Sequence, residues 1–203
     1  MHDKTHDELL SVFRRAKTVP TAVNLRELSL NPSPRRERHL QSYFTASPLT
    51  PDFMIDCLND GWTTLRQRFP HSTTLVLTLA NDPENHSRRT PFMQRLAAFT
   101  DRFQVPVELA YYPPYHSHYN PIERVWDVLE KHWNGSLLDS CQILLHFAQT
   151  MTFRARLPSV PWLKMVYQTG VRLTQKQMAQ LKHRFQRLPG LAQWFVRIVP
   201  LPL

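Results

Sequence analysis

The sequence predicts an α/β layered domain, and three observations carry that expectation. Helical and extended patterns alternate from Thr50 to Trp133 as helix, strand, helix, strand, helix, with short connections. The run TTLVLTLA, Thr73 to Ala80, is short, apolar and rich in β-branched residues, which is how a buried strand reads. A chain of 203 residues, 42% hydrophobic and 20% charged, is long enough for one well-formed core and too short for two comfortable domains.

The charge balance narrows the function classes. Lys and Arg outnumber Asp and Glu by 25 to 16, giving +9 with neutral histidine, a balance that suits a polyanionic partner and is shared by nucleic-acid and membrane-surface proteins. No run is long or apolar enough to span a bilayer, and the polar N-terminus lacks a signal-peptide core, so a cytoplasmic location is expected. Cys57 and Cys141 both fall in apolar helical patterns and read as reduced core thiols rather than a disulfide or zinc pair.

Taken in order, residues 4 to 16 pattern as a short helix with Leu9, Leu10 and Phe13 on one side, marginal without a docking surface. Val19 to Leu25 suggests a strand, and the prolines and basic run of NPSPRRER mark a surface loop. His39 to Thr45 reads as an edge strand. Thr50 then caps a helix that runs to Phe69. Pro51 sits at its first position, Asp52 suits the dipole, and Met54, Leu58, Trp62, Leu65 and Phe69 form its stripe. Gly61 weakens the middle of that helix by about 1 kcal/mol relative to alanine.

After the Thr73 to Ala80 strand comes the polar loop NDPENHSRRT, then a helix from Pro91 to Phe103 striped by Phe92, Leu96, Phe99 and Phe103. Val105 to Tyr112 is the next strand. It feeds YYPPYHSHYNPIERVWDVLEKHW, in which Asn120 caps a helix, Pro121 costs it no hydrogen bond, and Ile122, Val125, Trp126, Leu129 and Trp133 make one apolar face. Glu123 lands in the first turn, where Asn-x-x-Glu is also close to a capping box. Asn134 and Gly135 stop this helix. Leu137 to Met151 and Thr174 to Leu188 outline two more, the second opened by a Thr174/Gln177 capping box. The apolar end, LAQWFVRIVPLPL, either folds back or meets a partner.

The blocks PPYHSHYNPIERVWDVLEKHWNG and NDPENHSRRTPFMQRL resemble the DDE transposases of bacterial insertion sequences, specifically the ISAzo-type group (number thirteen), and the similarity extends from about Thr50 to the C-terminus. The resemblance implies an RNase H-like fold, a mixed sheet flanked by helices. It also implies three acidic residues binding two divalent ions, Mg²⁺ or Mn²⁺, the last acid being Glu123. On this reading residues 1–38 are an arm and linker, 39–135 the RNase H-like core and 136–203 a C-terminal helical extension. Transposon-end DNA is the implied partner, a membrane is not, and a homo-oligomer is compatible.

Two-metal chemistry on phosphodiesters needs converging hard oxygen ligands. In the resembled family the second acid ends the strand in a pattern like L-D-N-G-P-E-N, whereas this chain reads Leu79, Ala80, Asn81, Asp82, Pro83, Glu84, Asn85. An alanine therefore stands where the acid belongs, and Asp82, two residues on, is the substitute candidate for both metal binding and catalysis alongside Glu123. The first acid is also missing; the nearest counterpart is Ala22-Val23-Asn24-Leu25, where Asn24 brings no charge. The reading is a transposase-derived DNA-binding domain with impaired catalysis. An active metal-dependent transposase and a non-catalytic protein-interaction module remain open alternatives. Candidate DNA contacts are Arg88 and Arg89 after the strand, Arg124 beside Glu123, and His116, His118 and Tyr119 before the cap, as phosphate clamps and stacking surfaces.

Overall fold

The computed structural model describes residues 40–113, 123–138 and 140–202. The expected helix at 4–16, the strand at Val19–Leu25 with Asn24, and the basic loop at 31–38 lie outside these. The first described helix, α1 (Pro51–Arg68), forms as its sequence dictates. The Thr50 hydroxyl accepts from the Phe53 N–H at 3.2 Å, and Phe53, Met54, Leu58, Trp62 and Leu65 turn inward. Gly61 has a packing reason beyond its helix cost: a Cβ there would lie 3.3 Å from Gln41 Oε1 and 3.5 Å from the Tyr43 hydroxyl. Gln41, through its Nε2, and the Tyr43 hydroxyl both donate to Asp60 on the same helix, so the glycine admits the segment that binds its neighbour.

Four strands form the main sheet in the order β2 (Leu75–Leu79), β3 (Val107–Tyr111), β6 (Phe195–Ile198), β5 (Phe185–Arg187). β2 and β3 run parallel, with Leu77 opposite Leu109, and β6 lies antiparallel to both β3 and β5. Leu75, Leu77, Leu79, Val107, Leu109, Val196 and Ile198 share the face buried with α1 and with α2 (Thr90–Phe103). The alternate residues of β2 and β3 are only half-buried, so these strands bury one face fully rather than two. Between the helices, Trp62 meets Phe99 edge-on at 6.4 Å.

A second apolar cluster joins α3 (Glu123–His132) and α4 (Cys141–Thr150). Val125, Trp126 and Leu129 pack with Leu144, Ala148, Met151 and Phe44. Phe44 belongs to β1 (Phe44–Thr45), which pairs in parallel with β4 (Trp162–Leu163); the expected edge strand at 39–45 is thus half of a two-stranded ribbon. Ser140 caps α4 by accepting from the Ile143 N–H, so this helix starts later than its apolar pattern suggested. Both thiols are free, Cys57 buried and Cys141 half-buried.

Sequence and structure part company at the C-terminal end. The Thr174/Gln177 capping box forms, but the helix it opens, α5 (Gln175–Leu181), is seven residues long, not the stretch to Leu188 that periodicity suggested. A 3-10 turn at Lys182–Arg184 follows, and Phe185–Arg187 then leave as β5. Sheet pairing overrides local helical preference here. Phe185 lies opposite Ile198, and the buried Arg184 guanidinium donates to Asp101, Thr100 and the carbonyls of Ala97 and Val199. The terminal apolar run folds back as β6. Residues 136–203, read as a helical extension, therefore also supply two strands of the main sheet, and a boundary at 135 runs through one shared layer.

Candidate functional site

Because β2 and β3 are parallel neighbours, the loop after β2 and the connection from β3 towards α3 leave the same end of the sheet. The Tyr112 N–H donates to the Leu79 carbonyl at 2.9 Å, tying those two exits together. Open α/β sheets present their chemistry at this carboxyl end.

Ala80 is the first residue past β2, and Asp82 sits two residues further, where a hydrogen-bonded turn begins. The Asn85 and His86 N–H groups both donate to the Asp82 carbonyl, at 3.2 and 3.0 Å. The Asn85 side chain, buried to 1% exposure, accepts the Asp82 N–H through Oδ1 at 3.0 Å. Burial holds the half-buried Asp82 carboxyl above the usual carboxylate range. His86 is held below its ordinary value by burial first and then by the charges of Arg88 and Arg89. Its Nδ1 accepts the Arg88 N–H at 3.2 Å, which suits a neutral ring.

The two candidate arginines differ in commitment. Arg88 is exposed. Arg89, the residue preceding α2, pairs with Glu84 at 2.8 Å and is already partly neutralised. Glu123 is the first described residue of α3 and is half-buried, while Arg124 beside it is exposed. That helix is seated by Trp126 and Leu129 in the second cluster, so Glu123 and Asp82 are positioned by different parts of the core. His116, His118 and Tyr119 lie outside the described residues.

Sequence reasoning missed the groups that fix the loop. Tyr111, at the end of β3, donates through its buried hydroxyl to the Asn85 carbonyl at 2.6 Å. Ser87, 2% exposed, donates to the Gln193 carbonyl at 3.1 Å. Arg187 donates to both the Ser87 carbonyl and its hydroxyl. The only advance signal was polarity: a Ser and an Asn in a loop between two apolar elements.

Among the described residues, these side chains do not by themselves make a fitting two-metal site. The position just past β2 carries a methyl group, Asp82 follows it in a constrained turn, and Glu84 is engaged with Arg89. Among the described residues no group of three His, Cys, Asp or Glu side chains is arranged to hold a metal ion. No helix among them is long and apolar enough to cross a membrane.

Comparison with known families gives a match to the model described as the Rhodopirellula transposase DDE domain, over residues 35–200. No curated protein and no solved structure matches the chain.

Proposed function

Since the chain belongs to this transposase DDE-domain family, and so has its RNase H-like fold, we propose that it is a transposase-derived DNA-binding domain whose strand-cleaving chemistry is impaired. The observation that carries the impairment is Ala80 just past β2, where the resembled pattern has an acid. Two divalent ions, when bound in such a fold, activate the attacking oxygen and stabilise the leaving one. Among the described residues, Asp82 and Glu123 are the carboxylates proposed to hold such ions. Removing a carboxylate shared by two cations leaves their mutual repulsion poorly offset.

The proposed DNA affinity is supported by the basic balance of the chain and by the exposure of its arginines. Exposed Arg88 and Arg124 supply positive charge free to meet phosphate, and Arg89 is oriented by Glu84. His116, His118 and Tyr119, before α3, are proposed as stacking partners for an unpaired base. His118 adds a pH-conditional charge.

The decisive assay incubates the protein with duplex and nicked DNA in Mg²⁺ and in Mn²⁺, for the parent, Ala80→Asp and Glu123→Ala. The proposal expects binding that falls with salt and no strand cleavage by the parent, and with the first acid also out of place Ala80→Asp alone restores none. Cleavage by the parent that Glu123→Ala abolishes makes the protein an active transposase instead. Absence of any DNA affinity at low salt rejects the nucleic-acid reading and leaves an interaction module.

A further inference from the structure

The β5–β6 hairpin touches the loop after β2 through one side chain more than any other. Arg187, on β5, donates from Nη2 to the Ser87 carbonyl at 2.7 Å and from Nη1 to the Ser87 hydroxyl at 3.3 Å. The same Nη1 donates to the Ala192 carbonyl at 2.7 Å, which ties the guanidinium to its own hairpin turn. Ser87 completes the ring by donating to Gln193, and the Trp194 carbonyl accepts the Tyr111 N–H at 2.9 Å. Tyr111 in turn holds Asn85, and Asn85 holds Asp82. The Arg187 charge also reaches the Tyr111 hydroxyl, where it partly opposes the upward push of burial on that group.

We infer that Arg187 is a positioning residue: through Ser87 it clasps the Asp82–Arg89 loop to the C-terminal hairpin and so fixes where Arg88 and Arg89 meet DNA. The inference rests on the DNA-binding reading above for its consequence, but not for the clasp itself. A planar guanidinium that spans Ser87 and Ala192 fixes both distance and angle, which a single ammonium cannot do. Ser87 lies 100 residues away in sequence, so the clasp ties together two segments that the chain itself does not hold close.

Two measurements on the full chain test this. In Arg187→Ala, amide hydrogen exchange at Asp82, Asn85, His86 and Arg89 should quicken by about tenfold or more, the scale of one charged hydrogen bond, while amides within α1 keep their rates. Affinity for a 30-base-pair duplex should fall by about three- to tenfold, with no further fall when the change is placed on an Arg88→Ala/Arg89→Ala background. Arg187→Lys should recover part of both. Should Arg187→Ala fail to fold, Ser87→Ala removes the hydroxyl contacts alone and should produce the same pattern at smaller size. Unchanged exchange in the loop overturns the inference. An equal loss of affinity in both backgrounds also overturns it, because Arg187 then acts on DNA independently of the loop. If the parent chain binds no duplex, the protein is not a DNA-binding domain, and the exchange measurement still decides the clasp.

Discussion

Replacing Arg184 by alanine tests the claim that the C-terminal strands are bolted to α2 rather than laid against it. The guanidinium is 4% exposed and donates to Asp101 Oδ1 at 2.5 Å and Oδ2 at 3.0 Å, to Thr100 Oγ1 at 2.9 Å, to the Ala97 carbonyl at 3.1 Å and to the Val199 carbonyl from Nε and Nη2 at 3.1 and 3.0 Å. Breaking a buried, hydrogen-bonded ion pair by removing one partner costs about 3–5 kcal/mol. Asp101 keeps a third of its side chain in water, 33% exposed, and retains the Leu201 N–H at 2.9 Å, so the loss belongs at the low end. About 3 kcal/mol is expected, a fall in Tm of about 6–12 °C for a domain of this size. Urea unfolding followed by tryptophan fluorescence and by circular dichroism reads the midpoint and slope. An Asp101→Asn partner variant then closes a double-mutant cycle, with coupling of at least about 1 kcal/mol expected. A loss under about 1 kcal/mol, or additivity in the cycle, refutes the reasoning, since the network would then be no better than its solvated alternative.

Three further outcomes follow from particular residues. Burial raises the folded-state pKa of Asp82, so its contribution is most favourable below its unfolded pKa and is lost as pH rises through the folded value. Asp82→Asn should accordingly raise the urea midpoint at pH 7, with the gain shrinking towards pH 3. In a salt series, Arg88→Ala should lower the slope of log K against log[salt] by about 0.9, the contribution of one phosphate contact, and Arg89→Ala by less, because Glu84 already partners it. Finally, Arg154 and Ala155 both adopt left-handed backbone, at φ 55° and 60°, in the turn closed by Phe153 and Arg156. Ala155→Gly should relieve about 1–2 kcal/mol of strain against about 0.4–1 kcal/mol of added chain entropy, a net gain near 0.5–1 kcal/mol measurable by thermal melting.

Legibility in the sequence followed the length and locality of each signal. The Thr50 cap, the α1 stripe and the Thr174/Gln177 capping box are interactions among residues a few positions apart, and all are present. β5 and β6 have three and four residues, too few for a period to declare itself, and they are specified by partners such as Leu109 far along the chain. The helix expected to reach Leu188 stops because Arg184 and Phe185 find better partners in α2 and β6 than in the next helical turn. At the candidate site, Asp82 and Arg88 were visible as polar residues after a buried strand. The ion pair that occupies Arg89, and the Tyr111 hydroxyl beneath Asn85, depend on loop geometry that no pattern of residue types encodes.

The antiparallel strand beside β3 has a bearing on how the molecule comes into being. Val196 covers Leu109 only after everything between them has emerged from the ribosome. Until then β3 lacks that neighbour, and once paired with β2 it would present an apolar backbone edge able to recruit a stranger's strand. Slow passage through that stretch of translation would lengthen the exposure, and yield in a cell would depend on the pace of synthesis as well as on the strength of the finished fold.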